Sequence, residues 1–115
     1  MTLCVCGGRD YEFVPEDYDI LDALKMGFDI DTLVHGAARG ADYYAELWAI
    51  RNNFDVIPFH ADWEKHGRAA GPIRNQEMID EGRIDLLVAF PGGKGTEDMV
   101  NRAKKANITV IRIEH

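Results

Sequence analysis

The sequence predicts an α/β fold, a Rossmann-like three-layer α/β/α sandwich with a mostly parallel sheet of about five strands. Two observations predict it. Short apolar segments alternate along the whole chain with segments of helical periodicity. Glycine-rich turns follow several of the apolar segments, where strands would give way to helices. Because such alternation requires crossover connections, the strands should lie parallel, with helices on both faces.

The apolar segments predict five strands, at Leu3–Cys6, Thr32–His35, Asp55–Phe59, Ile84–Phe90 and Ile108–Ile113. Helices are predicted at about Pro15–Gly27, Ala41–Asn53 and Gly71–Glu81, and from the turn after Phe90 to near Asn107. Proline suits a first helical turn, which supports the starts at Pro15 and Pro72. The long segment from His60 to Ala70 is polar and carries no predicted element.

Length and charge restrict the class of protein. The chain has 115 residues and a formal net charge of −7. This is the size of a single domain spanning residues 1–115, large enough for a core without disulfides or metals. The acidic balance argues against nucleic acid as a partner. Without a signal peptide or a long apolar run, no membrane contact and a cytoplasmic location are expected.

The two cysteines are predicted to be buried thiols. Cys4 and Cys6 alternate along one strand, so both should point to the same face of the sheet. No Cys or His pair lies near them in sequence, so no metal site is expected. His35 is expected in the core, and Trp63 as a packed aromatic in preference to one that stacks on a base.

Ligands of parallel sheets bind where the strands end, so residues that follow the strands are candidates. Six of the 13 basic residues fall there, namely Arg9, Arg39, Lys65, Arg68, Arg74 and Lys94. Glycine-rich turns at three of these ends would let backbone N–H groups approach an anion. The sequence predicts a phosphate site formed by Gly7, Gly8, Arg9, Gly36, Ala37, Arg39, Gly40, Asp42, Arg74, Asn75, Pro91, Gly92, Gly93, Lys94, Gly95 and Thr96.

Some of these residues have a second interpretation. A cation in a first helical turn opposes the helix dipole, so Arg74 at that position indicates a ligand contact. Thr96 could be a helix N-cap, a ligand contact or both. Asp42 could bind a ribose hydroxyl or only favour the start of its helix. Glu97 and Asp98 are expected to be ordinary first-turn acids.

Three ordered motifs carry a family resemblance. They are Val34–Asp42 (VHGAARGAD), Ala61–Asn75 (ADW through AAGPIRN) and Ala89–Thr96 (AFPGGKGT). Together they resemble the YspA-type, cpYpsA-related branch of the SLOG superfamily. The resemblance implies a Rossmann-like fold that binds nucleotides or nucleotide-derived ligands. It also relates the chain to the lonely-guy phosphoribohydrolases and to the DNA-processing protein, and to bacterial and phage conflict systems.

The lonely-guy enzymes are similar at Pro91–Thr96, where they carry a Pro-Gly-Gly-x-Gly-Thr-x-x-Glu motif. Their catalytic glutamate corresponds to Met99 here, and their catalytic arginine to Arg74. Asp98 and Glu97 lie one and two positions before Met99, and one helical residue turns a side chain by about 100°. The resemblance therefore carries over the phosphate cradle and not the catalytic acid.

The expected function is binding of a nucleotide or nucleotide-derived small molecule, with no separate cofactor. The alternative is hydrolysis of a nucleoside monophosphate at its N-glycosidic bond, with Arg74, Asp98 and Glu97 as catalytic candidates. Single-stranded DNA binding ranks last, because no aromatic and basic stripe accompanies the acidic charge. The resemblance also suggests a homo-oligomer.

Overall fold

The computed structural model describes all residues 1–115 and contains five strands and five α-helices. The strands are β1 (Thr2–Cys6), β2 (Thr32–His35), β3 (Asp55–Pro58), β4 (Leu86–Ala89) and β5 (Thr109–Arg112). The helices are α1 (Pro15–Gly27), α2 (Ala41–Arg51), α3 (Trp63–His66), α4 (Ala70–Glu81) and α5 (Lys94–Lys105), with a 3₁₀ turn at Gly67–Ala69. None of the helices is both long enough and apolar enough to span a membrane.

The strands form one parallel sheet in the order β3-β2-β1-β4-β5. Leu3 in the central strand is in register with Leu33 on one side and with Leu86 on the other. The chain builds outward from β1 to β3 and then returns to β4, on the opposite side of β1. Strand order therefore reverses between β1 and β4, the place where open α/β sheets leave a crevice for ligands. The predicted fold class is confirmed.

Each face of the sheet buries its own core. On one face, Leu3 and Val5 of β1 pack with Leu21 of α1 and Trp48 of α2. On the other face, the core is formed by alternate residues of β1, β2 and β4 together with α4 and α5, namely Cys4, Cys6, Val34, Leu87, Ala89, Met78, Met99 and Val100. The burial of both cysteines on one face confirms the prediction made for them. Helices α4 and α5 consequently share a layer, which brings their N-terminal ends close to the ends of β1 and β4.

The structure corrects two expectations about residues near helix starts, the first-turn position of Arg74 and the N-cap alternative for Thr96. Helix α4 begins at Ala70, because α3 and the 3₁₀ turn lead directly into it. Arg74 is therefore its fifth residue, beyond the first turn, so the dipole argument for a ligand role does not apply. Helix α5 begins at Lys94 with Gly93 as its N-cap, which makes Thr96 the third helical residue and not the cap. The other predicted boundaries agree within about two residues.

Candidate functional site

A cavity of about 630 Å³ opens at the carboxyl edge of the sheet, over the ends of β1 and β4. Its lining residues come from the end of β1, from the loops after β1, β2 and β4, and from helices α2 to α5. Most of the predicted ligand-binding residues line it: Gly7, Gly8, Arg9, Gly36, Asp42, Arg74, Asn75, Gly93, Lys94, Gly95 and Thr96. Ala37, Arg39, Gly40, Pro91 and Gly92 do not line the cavity.

Some of these outer residues hold the cavity-lining loops together. The N–H of Gly8 donates to the carbonyl oxygen of Pro91 at 2.9 Å, which joins the first and fourth loops. A Cβ on Gly92 would overlap the Thr96 hydroxyl and lie 2.7 Å from the Gly8 nitrogen. Gly40 has φ +78°, and a Cβ there would overlap the carbonyl oxygen of Gly8. These glycines allow the loops after β1, β2 and β4 to pack closely against one another.

The N-terminus of α5 presents open backbone donors to this cavity. The N–H groups of Lys94, Gly95 and Thr96 have no acceptor within the chain. A Cβ on Gly93 or on Gly95 would meet no atom within 4 Å, so the space beside these two cavity-lining residues is open. Thr96 is only 5% exposed and also lines the cavity. Free N–H groups and the helix dipole together attract an anion.

A chain of side-chain contacts connects the second loop to α5 through α4. Arg74 donates from Nη1 to the carbonyl oxygen of Gly36 and from Nε to Oδ1 of Asn75, the latter at 3.1 Å. Asn75 donates from Nδ2 to Oδ2 of Asp98 at 2.9 Å. Arg102 donates from Nε to the same carboxylate oxygen at 2.8 Å. Although burial opposes the charged form, the bonds from Arg102 and Asn75 lower the pKa of Asp98.

Asp42 stabilises the loop after β2. Its Oδ2 accepts hydrogen bonds from the N–H groups of Gly36 and Ala38, each at 3.2 Å. Burial raises the pKa of Asp42, while these two bonds and the nearby Arg74 favour its charged form. The loop-holding role is clear from these contacts, and a ribose contact stays a prediction.

His35 supports the same loop from inside the fold. The ring is 3% exposed, and its Nδ1 accepts from the N–H of Ala37 at 2.9 Å. Because Nδ1 accepts, Nε2 carries the proton that faces Glu46 Oε1 at 3.0 Å. This confirms the expectation that His35 belongs to the core.

The six basic residues at this edge separate into two groups. Arg9, Arg68, Arg74 and Lys94 line the cavity. Arg39 is largely exposed and pairs with Asp10 at 3.0 Å, and Lys65 also lies outside the cavity. Glu97 points away as well, since Arg112 donates to both of its carboxylate oxygens at 2.7 and 2.8 Å and lowers its pKa.

Two further residues alter the expected chemistry of the cavity. Trp63 is 48% exposed and lines the cavity, so the prediction of a packed aromatic is wrong. Trp63 belongs to the short helix α3, which precedes α4 in the chain. Met99 is fully buried and lines the cavity where the lonely-guy enzymes carry glutamate. No group of three His, Cys, Asp or Glu side chains is arranged to hold a metal ion.

Two comparisons with known proteins identify the family of this chain. The model of the YspA, cpYpsA-related SLOG family matches residues 1–66, more than half of the 115 residues. The chain is also similar to Gene 61 protein of Mycobacterium phage D29, with 46% identity over 86 residues. That match covers 69% of this chain and 68% of the phage protein. The chain belongs to the YspA, cpYpsA-related SLOG family.

Proposed function

We propose that this protein binds a nucleotide or nucleotide-derived small molecule and holds its phosphate at the N-terminus of α5. The observation that carries the proposal is that the N–H groups of Lys94, Gly95 and Thr96 have no acceptor within the chain, although all three residues line the cavity. The glycines at positions 93 and 95 leave the space beside them open. Membership in the SLOG family, which is associated with nucleotide-related ligands, supports the same class of ligand.

Local charge favours an anion in this cavity despite the net charge of −7. Four cationic side chains line it, from Arg9, Arg68, Arg74 and Lys94, against the carboxylates of Asp42 and Asp98. Both carboxylates already accept two hydrogen bonds from the protein. The cations therefore outnumber the acids, and charge-assisted bonds to phosphate are the strong class of hydrogen bond.

The same geometry favours binding over hydrolysis. Cleavage of an N-glycosidic bond passes through an oxocarbenium-like state that a nearby free carboxylate would stabilise. Met99 occupies the position of the lonely-guy glutamate, and Glu97 is paired with Arg112 outside the cavity. Asp98 is the remaining candidate, and it is held by Asn75 and Arg102.

The phosphate site is tested with inorganic phosphate, ribose 5-phosphate, adenosine monophosphate and ADP-ribose, by calorimetry and thermal shift. Thr96→Val removes a hydroxyl that borders the free N–H groups, and we expect it to weaken phosphate binding about tenfold. The matched control is Thr109→Val, because Thr109 lies on the exposed edge strand β5, away from the cavity. Failure of all four compounds to bind the wild type would overturn the proposal.

The alternatives are tested on the same preparation. Free base is followed by chromatography after incubation with nucleoside monophosphates, and we expect none to be released. Release that disappears in Asp98→Asn would establish the hydrolase in place of a binding protein. For single-stranded DNA, we expect no gel shift at physiological salt, because the net charge of −7 opposes a polyanion.

A further inference from the structure

Trp63 and Arg9 contact each other in the lining of the cavity. The guanidinium carbon of Arg9 lies 5.1 Å from the centre of the Trp63 ring, which is a cation–π distance. Arg9 follows β1, whereas Trp63 belongs to α3, and both side chains line the cavity. The pair therefore occupies space that a ligand in this cavity would enter.

The backbone around Trp63 holds the ring in place while leaving it accessible. Asp62 caps α3 by accepting a hydrogen bond from the N–H of Lys65 at 3.1 Å. A Cβ on Gly71 would lie 3.5 Å from the ring edge, so the indole lies beside this position of α4. The ring remains 48% exposed, in contrast to Trp48, which is 4% exposed and donates to Asp22.

We propose that Trp63 is the binding surface for the base of the ligand, which stacks on the indole in place of the Arg9 guanidinium. This inference rests on the proposed function, because the ligand's phosphate is at α5 and its aromatic ring is at α3. One continuous cavity of about 630 Å³ includes both ends, within the range usual for small-molecule sites. The ligand class is thus a nucleoside phosphate with an intact base, and not a sugar phosphate.

When the base replaces the guanidinium on the indole, the charge of Arg9 stays inside the cavity. A base has a π-face that stacks on an indole and needs no charge, whereas a guanidinium released from the ring can pair with phosphate. Base binding and phosphate binding are therefore compatible at this site. Stacking on an aromatic residue is sequence-tolerant, so all common bases should gain from it.

The test compares ligands that differ only by the base. Dissociation constants are measured by calorimetry for ribose 5-phosphate and for the monophosphates of adenosine, guanosine, cytidine and uridine. In the wild type, we expect the best nucleotide to bind about 5- to 100-fold more tightly than ribose 5-phosphate. In Trp63→Ala, this ratio should fall to near one, and Trp63→Phe should restore most of it. The control Tyr43→Ala removes an exposed aromatic that does not line the cavity, and should leave the ratio unchanged.

A second readout is independent of affinity ratios. Nucleotide should quench tryptophan fluorescence in the wild type, and the quenching should be absent in Trp63→Phe, where buried Trp48 remains. A ratio near one in the wild type, or a ratio unchanged in Trp63→Ala, would overturn the base site and leave the phosphate site intact. If ribose 5-phosphate and all four nucleotides fail to bind, the proposed function and this inference both fall.

Discussion

The side-chain amide of Asn75 donates to the carboxylate of Asp98 at 2.9 Å and thereby links α4 to α5 at the cavity wall. Asn75 is only 3% exposed, and its other amide atom accepts from Nε of Arg74. The same Nδ2 also reaches the carbonyl oxygen of Gly95 at 3.3 Å. One buried amide therefore fixes the position of Arg74 relative to the free N–H groups of α5.

Replacing Asn75 with alanine should destabilise the fold and weaken phosphate binding together. The substitution leaves Arg74 Nε without its acceptor and Asp98 without one of its donors, which costs about 1–3 kcal/mol. Urea unfolding measures this loss, and titration with ribose 5-phosphate measures the affinity. Asn101→Ala is the control, since Asn101 is exposed on α5 and should tolerate alanine. Stability equal to that of the wild type would show that the amide bridge contributes nothing.

The stability contributed by Asp98 should disappear in acid. Its pKa in the folded protein is lowered by Arg102 and Asn75 against the effect of burial, so the charged form stabilises the fold. That contribution is present above the unfolded-state value of about 4 and is lost as the pH falls through the folded value. The wild type should therefore exceed Asp98→Asn in free energy of unfolding at about pH 7.

Urea unfolding of both proteins at about pH 7, 5 and 3 tests this difference. The other carboxylates titrate in the same way in both proteins. The difference between the two free energies of unfolding therefore reports the contribution of Asp98 alone. We expect the gap to be largest at neutral pH and to shrink toward the lowest pH. A gap of constant size across the series would contradict the assigned hydrogen bonds.

Replacing Gly95 with alanine should stabilise the protein and still weaken phosphate binding. Gly95 is the second residue of α5, and alanine in a helix is favoured over glycine by about 0.5–1 kcal/mol. A Cβ there would meet no protein atom within 4 Å, yet Gly95 lines the cavity, so the added methyl group would take up space beside the free N–H groups. We expect a higher Tm and at least a tenfold weaker affinity for ribose 5-phosphate.

Gly27→Ala provides the matched control for that substitution. Gly27 ends α1 and lies outside the cavity, and a Cβ added there would have no protein atom within 4 Å. The variant should gain stability without losing affinity. Undiminished binding by Gly95→Ala would place the phosphate somewhere other than the N-terminus of α5.

The parts of the fold that the sequence predicts well are those set by local pattern. The alternation of Leu3, Cys4, Val5 and Cys6 predicts which face each side chain takes, because side chains along a strand alternate between faces. The loops at the strand ends follow from the topology, so the convergence of Gly7, Arg74 and Gly95 is also predictable. These features need no knowledge of tertiary contacts.

What the sequence does not reveal depends on contacts between distant segments. The exposure of Trp63 depends on a short helix in a polar segment, where no periodicity indicates an element. The engagement of Asp98 depends on Asn75 and Arg102, of which Asn75 lies 23 positions away. The pairing of Glu97 with Arg112, which directs that carboxylate out of the cavity, likewise joins α5 to the edge strand.

The two cysteines should be inert in the folded protein. Cys4 is fully buried and Cys6 is 8% exposed, although Cys6 also borders the cavity. Burial raises the pKa of Cys4 well above its usual value and raises the pKa of Cys6 to about 12.

Because the thiolate is the reactive form, a disulfide reagent at about pH 8 should find almost no thiolate in the native state. We expect both free thiols to react only after unfolding in guanidinium chloride, and one to react in Cys6→Ser. Rapid reaction of one native thiol that is lost in Cys6→Ser would show that the cavity exposes Cys6 to solvent.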